Sequence, residues 1–141
     1  MVDIFETLHD DHEELLRLVD QLERGGRDEG LLADLAREFR GHRAAEEEIL
    51  YPRLESDEKV GSAIREAYVE HHLAGVLLRE TELQSSGNAE FRARMKVFGE
   101  MLRHHIAKEE TDVFLRARQV LPARDQIGLN DALNDERRRA A

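Results

Sequence analysis

Four stretches of this 141-residue chain place apolar residues three and four apart. The first runs Phe5, Leu8, His12, Leu15, Val19, Leu22, and the second Leu32, Leu35, Phe39, His42, Glu46, Ile49. The third reads Val60, Ile64, Ala67, His71, Ala74, Leu78, and the fourth Phe91, Met95, Phe98, Leu102, His105, Glu109, Val113. That spacing marks one face of an α-helix. Turn signals separate the stretches: Arg24-Gly25-Gly26-Arg27-Asp28, Pro52 and Ser85-Ser86-Gly87-Asn88. Helices are therefore predicted over about residues 3–23, 29–51, 57–84 and 89–120, with Ser56-Asp57 offering an N-cap to the third. The expected fold class is all-α, an antiparallel up-down-up-down four-helix bundle over residues 1–121. Residues 122–141 form a C-terminal tail, either a short helix or a loosely docked segment.

Polar residues interrupt every stripe. Each helix carries one histidine at a position that its period assigns to the interior. The period prefers His12 to His9, His71 to His72 and His105 to His104. Two segments, His42-Arg-Ala-Ala-Glu46 and His105-Ile-Ala-Lys-Glu109, add a glutamate one turn on, on the same face as the histidine. Glutamate is almost never fully buried without a partner, because an unpaired carboxylate is expensive to desolvate. No lysine or arginine lies on a seam beyond the first turn, so metal ions are the natural compensating charge. The flanking acids Asp10-Asp11 and Glu13-Glu14 read as a solvated face. Glu47, Glu48 and Glu110 read as solvated or outer acids, and Met95 and Met101 as core or near-core residues.

The formal net charge of −10 argues against nucleic-acid or anionic-membrane partners. Arg137-Arg138-Arg139 reads as a solvated end. Absence of cysteine excludes disulfides, zinc–thiolate sites and thiol catalysis. The start, Met1-Val2-Asp3-Ile4-Phe5-Glu6, has no signal-peptide pattern, and no apolar run is long enough to span a membrane. A cytoplasmic protein, monomeric or weakly homo-oligomeric, is the expectation.

Imidazole and carboxylate donors suit iron, manganese or zinc. Six candidates exceed the four ligands of a structural zinc site and suit two metals. The ferritin-like di-iron pattern needs Glu-x-x-His on two helices; its one match, Glu6-Thr7-Leu8-His9, lies off the seam. The segments Asp11-His12-Glu13-Glu14-Leu15, His42 to Pro52, Glu70-His71-His72 and His105 to Glu110 together resemble the hemerythrin-like family, the HHE cation-binding domain. The resemblance covers about residues 3 to 120, one ligand segment per helix. It implies two iron ions, oxo- or hydroxo-bridged, with manganese or zinc as substitutes. The implied ligands are His12, His42, Glu46, His71, His105 and Glu109, with Glu46 and Glu109 bridging. The implied partners are small molecules: peroxide, dioxygen or nitric oxide.

One departure bears on activity. Oxygen-carrying hemerythrins have a His-x-x-x-His pair on the third helix, whereas Ala67 and Gly75 stand four residues either side of His71. Tyr51 is a further candidate ligand if the substitution lies on the Ala67 side. It follows Glu46 by five residues, about 140° round an ideal helix, so it would have to lean in, with Pro52 loosening the last turn. Tyr68 is a second candidate, and packing is the competing role for both. Fewer histidines favour reaction over carriage. The expected function is a di-iron protein reacting with peroxide, dioxygen or nitric oxide, catalase-like peroxide decomposition included. The alternative is a non-enzymatic iron or oxygen sensor or store.

Overall fold

The computed structural model describes residues 1–84 and 87–140. Of the turn expected at Ser85-Ser86-Gly87-Asn88, the two serines lie outside the described residues. Among the described residues the chain is helical, with no strand.

Helix α1 spans Ile4–Gly25, opened by Asp3, whose carboxylate accepts the Glu6 N–H at 3.0 Å. It closes at Gly26, where φ is 82° and the N–H returns to the Leu22 carbonyl, a conformation that favours glycine. Helix α2 spans Glu29–Ala45, capped by Asp28 through the Leu31 N–H at 3.0 Å. It runs directly into a π-turn, Glu46–Leu50, and a 3-10 turn, Tyr51–Arg53. Helix α3 spans Gly61–Leu83 and starts four residues later than the sequence suggests. The reason is that Asp57 closes a turn of its own: it accepts the N–H groups of Lys59 and Val60 at 2.9 and 3.0 Å. Gly61 lets that turn fold against the helix start, since a Cβ there would lie 2.6 Å from the Glu55 carbonyl oxygen. Helix α4 spans Asn88–Lys108 and continues through a second π-turn, Glu109–Val113, into α5, Phe114–Val120.

The tail is a helix, α6, Ala123–Ala140, 18 residues long. It is not loosely docked. Leu133 is buried in one cluster with Ile4, Phe5 and Leu8, and the Thr7 hydroxyl bonds the Asn130 side chain at 2.6 Å. Helix α1 packs on α2, α4 and α6, and α3 packs on α2 and α4.

The apolar core is divided into two clusters. One holds Phe5, Leu8, Leu50, Tyr51, Ile64 and Phe114; the other holds Leu15, Leu35, Phe39, Met95, Phe98 and Leu102. Each stripe histidine falls at the boundary, as His12 does between Leu8 and Leu15. Close-packed hydrocarbon on both sides thus holds a polar layer in place. Among the described residues no helix is long and apolar enough to cross a membrane.

Candidate metal centre

The structure brings all six stripe residues into that layer. His12, His42, His71, His105, Glu46 and Glu109 are each at most 5% exposed. The Nε2 atoms of His12 and His42 are 3.1 Å apart, and those of His71 and His105 are 3.2 Å apart. Glu46 Oε1 lies 3.1 Å from Nε2 of both His42 and His71, and Glu109 Oε1 lies 3.1 Å from Nε2 of His12. Donor atoms of His12, His42, Glu46 and Glu109 all fall within 4.8 Å of one another, as do those of Glu46, His71 and His105. Glu46 belongs to both groups.

The outward nitrogens are fastened. Nδ1 of His12 meets Glu110 at 2.7 Å, that of His42 meets Asp11 at 3.0 Å, that of His71 meets Glu47 at 2.7 Å and that of His105 meets Glu70 at 2.8 Å. A proton on Nδ1 satisfies each carboxylate and leaves the Nε2 lone pair facing inward, the arrangement that metal-binding histidines use. Asp11 and Arg137 correct the sequence reading. Asp11 is buried, not part of a solvated face, because His42 and Arg137 both bond it. The signal that could have found these acids is position: each adjoins a stripe residue, before His12 and His71 or after Glu46 and Glu109.

The two halves repeat one design. An acid beside a histidine on α1 or α3 holds the histidine of α2 or α4, and the acids after the glutamates cross between the halves, Glu47 holding His71 of α3 and Glu110 holding His12 of α1. Each glutamate also opens a π-turn, Tyr51 N–H returning to the Glu46 carbonyl and Phe114 N–H to that of Glu109. The extra residue in the turn sets everything after it back by about 100°, so Tyr51 lies about 40° from Glu46 and not about 140°. The inward lean thus comes from the π-turn itself. The same shift buries Leu50 completely and leaves Ile49, the stripe residue, only partly buried. Tyr51 stacks on His71 with ring centroids 5.6 Å apart, and Phe114 stacks on His12 at 5.7 Å. Both sit at the same station, and they differ by one hydroxyl. That hydroxyl lies 3.0 Å from Glu46 Oε1 and 2.5 Å from Glu109 Oε2.

Tyr68 is placed elsewhere, its hydroxyl donating to Glu55 at 2.6 Å. Ala67 shares a cluster with Tyr51, whereas a Cβ on Gly75 would meet Arg43 and Phe39. His9 is an exposed neighbour of the layer, bonded to Glu110 at 2.9 Å, and His72 and His104 are exposed.

Burial works against charge on His12, His42 and His105, and the carboxylates outweigh it. His12 is pushed up to about 11 by Glu109, Glu110 and Glu46, His42 up to about 9 by Glu46 and Asp11, and His105 up to about 10 by Glu46 and Glu70. Burial also opposes charge on Glu46, but His42 and its other neighbours hold its carboxyl well below the usual range. Burial and the Glu46 charge push Glu109 up, and burial with both carboxylates raises the Tyr51 phenol. The inward nitrogens therefore call for an electropositive occupant, either protons or a cation. The residues fit a cation. Glu46 Oε2 and Glu109 Oε1 are buried and make no well-angled hydrogen bond, although Glu109 Oε1 lies against His12 Nε2. Two nitrogens about 2.1 Å from one ion at right angles would be about 3.0 Å apart.

The model of the hemerythrin HHE cation binding domain matches residues 3–117. The chain belongs to that family. Comparison with curated proteins and with solved structures returned no match. The hemerythrin-family match contains all six layer residues and ends before α6.

A pH dependence follows for the metal-free protein. The values of His12, His42 and His105 lie above the ordinary 6.5, so their protons stabilise the fold fully below 6.5, and that stability is lost as pH rises through about 9 to 11. Calorimetry of metal-free protein is expected to show the melting temperature falling from about pH 7 to about pH 10. Metal-loaded protein, whose cation replaces those protons, is expected to resist the same rise.

Proposed function

We propose that residues 1–121 are an antiparallel up-down-up-down four-helix bundle holding two iron ions, with residues 122–141 as a C-terminal tail that contains helix α6. The observation carrying this reading is the membership of Glu46 in both ligand groups, together with the two carboxylate oxygens at the centre that make no well-angled hydrogen bond. His12, His42 and Glu109 would hold one ion and His71 and His105 the other, with Glu46 and Glu109 as the carboxylates that would be shared between them. Manganese or zinc would suit the same donors.

The protein then acts on peroxide, dioxygen or nitric oxide, and peroxide decomposition is the reading favoured here. Bound iron would supply the electron transfer needed to turn hydrogen peroxide into water and oxygen. The chain excludes bulk water, since the layer is sealed by apolar clusters, and restricts partners to molecules of a few atoms. Tyr51 would stand in for the extra histidine of oxygen carriers where that position is on the Ala67 side, and Ala67 shares its cluster. The Tyr51 hydroxyl can ligate iron or donate a hydrogen bond to the carboxylate pair. A cytoplasmic, monomeric or weakly oligomeric protein without nucleic-acid or membrane partners completes the proposal.

Aerobically purified protein is expected to carry two irons per chain and to evolve oxygen from hydrogen peroxide. His42→Ala and Glu109→Ala are expected to lose iron and melt lower, whereas His72→Ala and His104→Ala keep it. A sample that holds no iron at full stability would sink the iron reading. Loaded protein that evolves no oxygen would favour a sensor or store.

A further inference from the structure

Helix α6 lies outside the span matched by the family, yet it reaches the polar layer. The Arg137 guanidinium grips both oxygens of Asp11, with Nη1 3.2 Å from Oδ1 and Nη2 closer still to Oδ2. Asp11 in turn holds His42 Nδ1 at 3.0 Å. Beside this chain of contacts lies a cavity of about 210 Å³ lined by Arg37, Glu38, Gly41, His42 and Arg137. Arg37 and Gly41 are exposed and His42 is buried, so the cavity runs from the surface to the outer side of His42, with Arg137 on its wall. The other half lacks this lock. Glu70, the counterpart of Asp11, is 28% exposed against 8%. Among the described residues no arginine bonds Glu70, and the nearby Lys108 pairs with Glu66.

We propose that α6 is a clamp on one side of the centre, in which Arg137 positions Asp11 against His42 and guards the entry at that histidine. The proposal rests on the metal-binding reading above. It makes the two metal sites unequal: the ion held by His12 and His42 exchanges slowly, and the ion held by His71 and His105 exchanges faster. Arg137 is a positioning residue, acting through Asp11. Outer partners of this kind change metal affinity by about 10- to 100-fold.

The test is extraction of ferrous iron from the full-length, anaerobically loaded protein by a coloured chelator, followed in time. Wild type is expected to release its two ions in two phases. Arg137→Ala is expected to speed the slow phase about tenfold and leave the fast phase unchanged. Arg137→Lys should restore part of the slow rate, and Glu70→Gln should move only the fast phase. Arg138→Ala, whose exposed side chain pairs with Asp135 on its own helix, should match wild type. If wild type holds two ions and Arg137→Ala leaves both rates unchanged, or speeds both equally, the clamp is overturned while the metal reading stands. If wild type holds no iron, both are overturned.

Discussion

Glu46→Gln is expected to strip the proposed metals from the centre, measured as metal per chain after purification. Gln matches Glu in volume, so the core packing survives. The change removes the one charge that faces Nε2 of both His42 and His71 at 3.1 Å and is shared by both ligand groups. An amide also brings N–H donors toward imidazoles whose inward nitrogens must then accept or clash. Metal present at a thousand times its dissociation constant stabilises the fold by about 4 kcal/mol. At roughly 3 °C per kcal/mol for a chain of this size, the variant should melt about 12 °C below loaded wild type. Glu109→Gln supplies the contrast, since Glu109 belongs to only one of the two groups. A Glu46→Gln protein that retains a full ion per chain would show that the groups do not share Glu46 as a ligand.

The layer was legible in the sequence because helix phase is local. A spacing of three and four picks His12 over His9 and His105 over His104 without any knowledge of what the helices face. Phase reasoning failed where the helix changed pitch. Both π-turns begin at a glutamate of the layer, and nothing in Glu46-Glu47-Glu48 or Glu109-Glu110 announces the extra residue in the turn. The consequence is specific: the period puts Ile49 inside in preference to Leu50, and it asks of Tyr51 a distortion that the π-turn already provides. The start of α3 was misplaced for a related reason, since Asp57 caps a turn as readily as a helix. Long-range contacts were beyond local reading altogether. Asp11 looks like surface acid until Arg137, 126 residues away, and His42 are seen to enclose it. The tail gave no decision because its apolar residues are sparse, and Leu133 is buried only because α1 offers Ile4, Phe5 and Leu8 to it.

Tyr51→Phe makes the two halves of the centre alike, Phe114 already occupying the matching station. The fold should survive, because a phenyl ring keeps the stacking on His71 and the contacts with Leu50 and Ile64. What is lost is one hydroxyl that serves Glu46 Oε1 and Glu109 Oε2 in a site closed to water. The hydroxyl has one proton to share between those oxygens, and a buried acceptor left without its donor costs about 1–3 kcal/mol, so the metal-free variant should be less stable by about 1–3 kcal/mol in urea denaturation. In the loaded protein the other six groups remain, and two irons per chain are expected to stay. If the phenol ligates iron, its visible phenolate-to-iron absorption disappears in the variant. If it acts as a proton donor to the carboxylate pair, the absorption is unchanged and the pH profile of oxygen evolution moves. As a proton donor it predicts a fall of about 10²-fold or more in the rate of the proposed peroxide decomposition. A variant that keeps its colour, its rate and its pH profile would make Tyr51 what Phe114 is, a ring packed against a histidine.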